Sequence, residues 1–150
     1  MKVLLINPPY LKGFSRSSRS PAVTKSGTLY YPIFLSYLAG YLINLGHSVK
    51  LVDCIADDCD LNGLTEIIVG FAPQFIISDS SIPSGRHDAG FLNEIKKKFP
   101  DIYCILVGPY PTSYYDELLY SETEYLFDAF IRFEYERAVE HLISRCAASN

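Results

Sequence analysis

Five short runs of almost unbroken apolar residues punctuate the chain: Lys2–Ile6, Ser48–Val52, Phe75–Ile77, Tyr103–Val107 and Phe127–Ile131. A strand covered on both faces reads this way, whereas a half-exposed strand alternates, so the runs predict parallel strands inside one sheet. Between them, apolar positions recur at helical spacing. Phe34, Leu38, Tyr41, Leu42 and Leu45 share one face, with Pro32 suited to the first turn and Gly46 to the left-handed stop. A weaker helix covers about 61–70. Phe91, Leu92, Ile95 and Phe99 mark a third, whose Lys96, Lys97 and Lys98 sit toward the C-terminus, where cations suit the helix dipole. Ser113 with Asp116 resembles a capping box opening a fourth. Ala138, Val139, Leu142 and Ile143 give a last helix its apolar face, from about Glu134 onward.

Five strand–helix units in this order predict an α/β fold with a doubly wound five-stranded parallel sheet. Right-handed crossovers favour the flavodoxin-like (Rossmann-type) strand order 2-1-3-4-5. The 150 residues fit a single domain spanning 1–150, without repeat or linker. One segment breaks the rhythm. Pro8–Tyr31 is long, polar and rich in Ser, Arg and Lys. With little apolar surface to bury, it is expected to be mobile without a partner, its far end anchored by Tyr30 and Tyr31.

Composition narrows the function classes. A net charge of −4 gives no general affinity for nucleic acid. No apolar run approaches the ~18 residues that span a bilayer. The apolar start is too short for a signal peptide, and Asn7-Pro8-Pro9 is no cleavage site. Cys54, Cys59, Cys104 and Cys146 form no CxxC pair, and a chain with 49% hydrophobic residues needs no disulfide framework. Reduced thiols and a cytoplasmic location are the expectation.

In such sheets ligands bind beyond the carboxyl ends of the strands, near the switch point of the strand order. Several segments fall there. In Gly108-Pro109-Tyr110-Pro111-Thr112-Ser113 the glycine permits a sharp turn and close approach, and the hydroxyls and next helix amides suit an anionic group. A tight strand-to-helix turn explains the same residues. Ser78-Asp79-Ser80-Ser81 is a hydroxyl-rich loop that suits a base or amide, or is a solvated turn. Asn7-Pro8-Pro9 ends the first strand and throws the chain outward. Asp53, Asp57, Asp58 and Asp60 lack the spacing of a calcium loop and read as a solvated acidic turn, so no metal site is assigned. His47 reads as a turn residue, His87 as a polar helix start and His141 as solvent-facing. There is no P-loop, GxGxxG, nucleophile elbow or convincing catalytic set.

Taken in order, six segments resemble the N-terminal cobalamin (vitamin B12)-binding domain of cobalamin-dependent radical S-adenosylmethionine (radical SAM) enzymes. They are the opening strand Met1–Pro9, the proline-led helix Tyr31–Leu42, the helix stop and strand Leu45–Asp53, the strand entry Ala72–Ser78, the turn Leu106–Thr112 and the closing element Asp128–Glu136. The resemblance implies cobalamin laid across the strand ends. Its nucleotide tail would meet Ser78, Ser80 or Ser81, with Gly108, Pro109 and Thr112 along its path and Asn7, Pro8 and Pro9 near the corrin. It also implies a methyltransferase as the parent enzyme. S-adenosylmethionine and a 4Fe-4S iron–sulfur cluster would belong to a radical SAM domain following Asn150, since CxxxCxxC is absent from this chain. The chain alone would bind and not catalyse.

The chain departs from that pattern in places. It has no Asp-x-His-x-x-Gly to supply an axial histidine to cobalt. Pro109 replaces the second glycine of the Gly-Gly turn, and Phe133 and Tyr135 replace both glycines of the closing Gly-Glu-Gly-Glu. Two other readings follow: a degenerate docking or structural domain of such an enzyme, and a flavodoxin-like module for a nucleotide or flavin.

Overall fold

A computed structural model describes residues 1–120 and 124–148. The elements in chain order are β1 (Lys2–Asn7), β2 (Phe14–Ser15), β3 (Ala22–Val23), α1 (Ile33–Asn44), β4 (Ser48–Asp53), α2 (Leu61–Phe71), β5 (Phe75–Ser78), α3 (Gly85–Lys98), β6 (Tyr103–Leu106), α4 (Pro109–Ser113), α5 (Tyr115–Leu119), β7 (Ala129–Phe130) and α6 (Glu136–Ala148). Five strands form one sheet in the order β4-β1-β5-β6-β7, and every pairing in it is parallel. That is the 2-1-3-4-5 order expected of the flavodoxin-like fold, with its switch point between β1 and β5.

The pleat of the strands explains the two-sided core. Successive side chains point to opposite faces. Leu4, Ile6, Ile76, Cys104 and Leu106 pack beneath α2 and α3 through Leu64, Ile68, Leu92 and Ile95. Val3, Leu5, Phe75, Ile77 and Ile105 pack beneath α1 and α6 through Leu35, Leu38, Leu42, Val139 and Ile143. The unbroken apolar runs are therefore the two faces of one sheet read in alternation.

Element ends follow local chemistry. At the end of α1, Gly46 has φ +83°, and the His47 amide donates back to Leu42 O at 3.0 Å. Asp60 caps α2 by accepting from the Asn62 and Gly63 amides at 3.0 and 2.9 Å. Lys96 reaches past the end of α3 to Pro100 O and Ile102 O, and pairs with Asp128 at 2.8 Å, tying the β7 edge to the helix. The edge strand itself is shorter than the apolar run suggests, although the Asp128 and Ile131 amides extend its ladder to Cys104 O and Leu106 O.

Three expectations are corrected. Ser113 and Asp116 do not form a capping box. Ser113 closes α4, and Tyr114, whose side chain makes no capping bond, precedes α5. The last helix begins at Glu136, because Phe133 takes a left-handed turn at φ +62° first. The 8–31 segment is packed onto the domain. It forms the antiparallel pair β2–β3 and buries Phe14, Ser15 and Arg16. The Tyr30 and Tyr31 rings are exposed, and the far end is held instead by the Tyr30 amide, which donates to Ser15 Oγ at 3.1 Å.

The core account makes a direct prediction. Leu5→Ala, at a fully buried central-strand position, should cost about 2–5 kcal/mol in denaturant unfolding. Tyr37→Ala, on the exposed face of α1, should change stability by about 0.5 kcal/mol or less.

Candidate functional site

The strand ends are divided into two unequal parts. At the switch point, between β1 and β5, the chain fills the crevice itself. Arg16 enters from the long loop with a side chain 1% exposed and forms a bidentate pair with Asp88, in the first turn of α3, whose side chain is fully buried. Its remaining donors reach Asn7 Oδ1 at 2.9 Å and Pro8 O at 2.5 Å. The rings of Phe14 and Tyr10 flank the guanidinium at 5.6 and 5.9 Å.

Asp88 is satisfied from other directions as well. It accepts from Ser84 Oγ at 2.5 Å and the Ser81 amide at 3.4 Å, while the Ser81 and Ser84 hydroxyls bond each other at 2.7 Å. Asn7 also donates to Asp53 at 2.7 Å, and Asp53 holds the Ile55 and Ala56 amides of the next loop. A buried charge pair is tolerated only when its remaining lone pairs and protons are met in this way.

The other part is open. A cleft of about 360 Å³ lies between the exits of β5 and β6 and the turn that enters α6, with Phe34 of α1 on its rim. Its floor depends on Gly108. At φ +104°, a Cβ there would stand 2.4 Å from Ser80 O and 2.7 Å from Asp79 Oδ1, so only glycine lets the two exits run this close. Ser80 Oγ locks them by donating to Val107 O at 2.6 Å. Thr112 Oγ1 donates to Gly108 O at 3.0 Å and accepts from the Phe133 amide at 2.9 Å, stitching α4 to the α6 turn.

Two buried polar groups of this cleft are incompletely met. Asp79 follows β5 directly, and its Oδ1 accepts from the Ser80 amide at 2.9 Å. Burial pushes its carboxyl up to about 7. The Ser80 amide and Arg16 oppose that rise, and Asp88 adds to it. Tyr135 occupies the opposite wall, and its hydroxyl is buried with no hydrogen-bond partner among the described residues. Burial raises its pKa, and the neighbouring Asp79 raises it further.

The residues singled out in the sequence are thus distributed. Ser80, Gly108, Pro109 and Thr112 come together around the cleft. Asn7, Pro8 and Ser81 lie buried beneath or beside Arg16. Ser78 is fully buried and donates to Asp79 O at 3.3 Å. Pro9 borders a separate hollow of about 220 Å³ beside Tyr10, Cys54 and Cys59. Sequence reasoning missed Arg16, Asp79 and Asp88. For Asp79 a signal existed, an acid placed immediately after a wholly apolar strand. For Arg16 none did, because its partner lies 72 residues away. A cleft of this size stands at the small end of ligand pockets, which run about 300–1,000 Å³. It takes a base-sized group and not a whole corrin.

No family model matches the chain. It is 29% identical over 144 residues to an uncharacterized methyltransferase of Pyrococcus horikoshii, covering 95% of this chain and 29% of that protein. It is 23% identical over 146 residues to the anaerobic magnesium-protoporphyrin IX monomethyl ester cyclase of Synechocystis, covering 96% of this chain and 27% of that one. The chain thus spans less than a third of the length of either relative. Among solved structures, NtrX of Brucella abortus in complex with ADP aligns with a TM-score of 0.57 at 16% identity, over 97% of this chain and 25% of that one. A second NtrX structure aligns with the same TM-score at 15% identity, over 96% and 26%. At these identities the structural likeness establishes the fold. No helix among the described residues is long and apolar enough to cross a membrane.

Two predictions test this site. Arg16→Ala strands the Asp88 carboxylate and should cost about 3–5 kcal/mol in chemical denaturation, and Arg16→Met with Asp88→Leu should recover only part of that loss, because Asn7 Oδ1, Pro8 O, the Ser81 amide and the Ser84 hydroxyl each lose a partner. Asp79 supplies a pH signature. Its folded pKa lies above the ordinary carboxyl value, so its contribution is intact below that value and is lost as pH rises through about 7. The stability of Asp79→Asn relative to wild type should therefore climb between about pH 4 and pH 7, by an amount on the order of 4 kcal/mol.

Proposed function

We propose that this domain binds cobalamin by its nucleotide tail, in the cleft between the β5 and β6 exits and the α6 turn. We further propose that it serves a radical SAM methyltransferase, whose S-adenosylmethionine and iron–sulfur chemistry would belong to a partner radical SAM domain of the same protein. The observation that carries the reading is the cleft itself: base-sized, walled by Phe34, Phe133 and Gly108, and lined by Tyr135, whose buried hydroxyl has no partner among the described residues. The methyltransferase and the protoporphyrin ester cyclase that align along nearly the whole chain support an enzyme that handles methyl groups or tetrapyrroles.

When bound, cobalamin supplies a methyl carrier. The rest of the task falls to the chain. Gly108 and Ser80 keep the floor narrow and rigid. Thr112 and the Phe133 amide fix the wall opposite. The corrin would lie outside the cleft, over the region that Arg16 closes, where half-buried Tyr10 would meet it and buried Arg16, Asn7 and Pro8 would brace Tyr10 from below. Arg16 also favours a second reading, a docking domain that has given up its cofactor, because it fills the switch-point half of the crevice that a ligand would otherwise enter.

Hydroxocobalamin mixed with the protein and desalted should leave corrin absorbance in the protein fraction. Gly108→Val is a poor probe, since its Cβ would strike Ser80 O and disturb the fold. Ser113→Trp is better, because Ser113 is exposed on the rim and a ring there obstructs the entrance. This variant should lose most of the retained corrin with an unchanged circular dichroism spectrum. A protein that retains no corrin favours the docking reading, and one that retains flavin instead contradicts both.

A further inference from the structure

Cys54 and Cys59 share the hollow near Pro9, but burial raises the pKa of each thiol, leaving them poor nucleophiles at neutral pH. A larger hollow of about 620 Å³ at the opposite end of the sheet, lined by Gln74, Asp101, Ile102, Arg145 and Cys146, holds no buried unmet polar group among the described residues. Asp79 and Tyr135 differ. They line one cleft from two different segments, and neither has its hydrogen-bonding capacity filled by the described residues. Asp79 uses one carboxyl oxygen on the Ser80 amide, and among the described residues the other receives no hydrogen bond. Tyr135 uses none of its hydroxyl capacity. Leaving a buried hydroxyl unbonded is costly, and a hydroxyl retained in that state gains its partner when a ligand arrives.

We propose that Asp79 and Tyr135 are the specificity contacts of the cleft, reading the edge of a flat heteroaromatic base through its unprotonated ring nitrogen. This rests on the cobalamin reading and deepens it. The benzimidazole of the cobalamin tail is flat, apolar on both faces, and carries one ring nitrogen whose lone pair is free when it is not bound to cobalt. Phe34, Phe133 and Gly108 suit the faces, and the polar pair suits the edge. The Tyr135 hydroxyl is a donor throughout the working pH range. Below about pH 7 Asp79 keeps its proton and does not repel the ring nitrogen's lone pair, whereas above it the carboxylate opposes that lone pair. The charged and titratable groups around Asp79 are Arg16 of the long loop, Asp88 of α3, and Tyr135, Glu134 and Glu136 at the start of α6.

The experiment compares two corrinoids. Cobalamin carries the base, and cobinamide has the same ring without the nucleotide tail. Equilibrium dialysis of the whole chain gives affinities for wild type, Tyr135→Phe, Asp79→Leu and Asp79→Asn. Tyr135→Phe should weaken cobalamin by about fivefold to tenfold, the loss expected for one hydrogen bond, and leave cobinamide unchanged, while Asp79→Leu should remove the pH dependence of binding. Circular dichroism of each variant reports that it remains folded. Wild-type affinity for cobalamin should fall as pH rises through about 7, and Asp79→Asn, a donor at every pH, should flatten that profile. A Tyr135→Phe protein that binds cobalamin as tightly as wild type, or an Asp79→Leu protein that keeps the pH dependence, overturns the assignment and leaves the cobalamin reading standing. Wild-type protein that binds neither corrinoid overturns both.

Discussion

The ion pair between Arg16 and Asp88 organises the functional end of this domain. A charge pair this buried is costly to desolvate, and it persists here because nearly every donor and lone pair around it is used. Through it, a long polar loop becomes part of the body of the protein. Through it also, the switch-point crevice, which parallel α/β sheets commonly leave open, is closed by the chain's own side chain. Asn7, Ser81 and Ser84 are drawn into supporting that closure. Whatever binds at the strand ends must do so beside Arg16, in the space between β5, β6 and the turn into α6.

That remaining space is defined by close approach. The β5 and β6 exits are brought together at Gly108 and Ser80, where the distance to a hypothetical Cβ leaves room for no other residue type. Gly108 crowds against Asp79 Oδ1, while Tyr135 is buried in the apolar cluster beneath α1 and α6, and burial raises the pKa of both. A cleft with apolar walls, a phenolic donor and a carboxyl poised near neutrality is suited to a base more than to a phosphate, because the cation at its edge is already neutralised by Asp88.

The sheet was legible in the sequence because double-sided burial leaves an unmistakable record in runs such as Val3–Ile6 and Cys104–Val107. Helix stops governed by local chemistry, Gly46 above all, were equally visible. The β6-to-α6 region was harder. There the chain breaks into α4 and α5, and Tyr114 interrupts what the Ser113–Asp116 spacing suggested was one capped helix. In the site, Ser80, Gly108, Pro109 and Thr112 could be located because strand ends are predictable from strand positions. Arg16 could not. A single arginine in a serine-rich loop carries no local sign that a carboxylate on α3 will bury it. The orphaned state of the Tyr135 hydroxyl is likewise a property of three-dimensional neighbours, although the residue itself stood out as a replacement for glycine in the closing motif.

The most direct measurement of the central claim is a crystal structure of the protein grown with hydroxocobalamin. The account predicts electron density for the benzimidazole between Gly108 and Tyr135, with its ring nitrogen within hydrogen-bonding distance of the phenol or the Asp79 carboxyl. A corrinoid found with its tail anywhere else, or a cleft that stays closed around the unbonded Tyr135 hydroxyl while the cofactor sits on another surface, would contradict it.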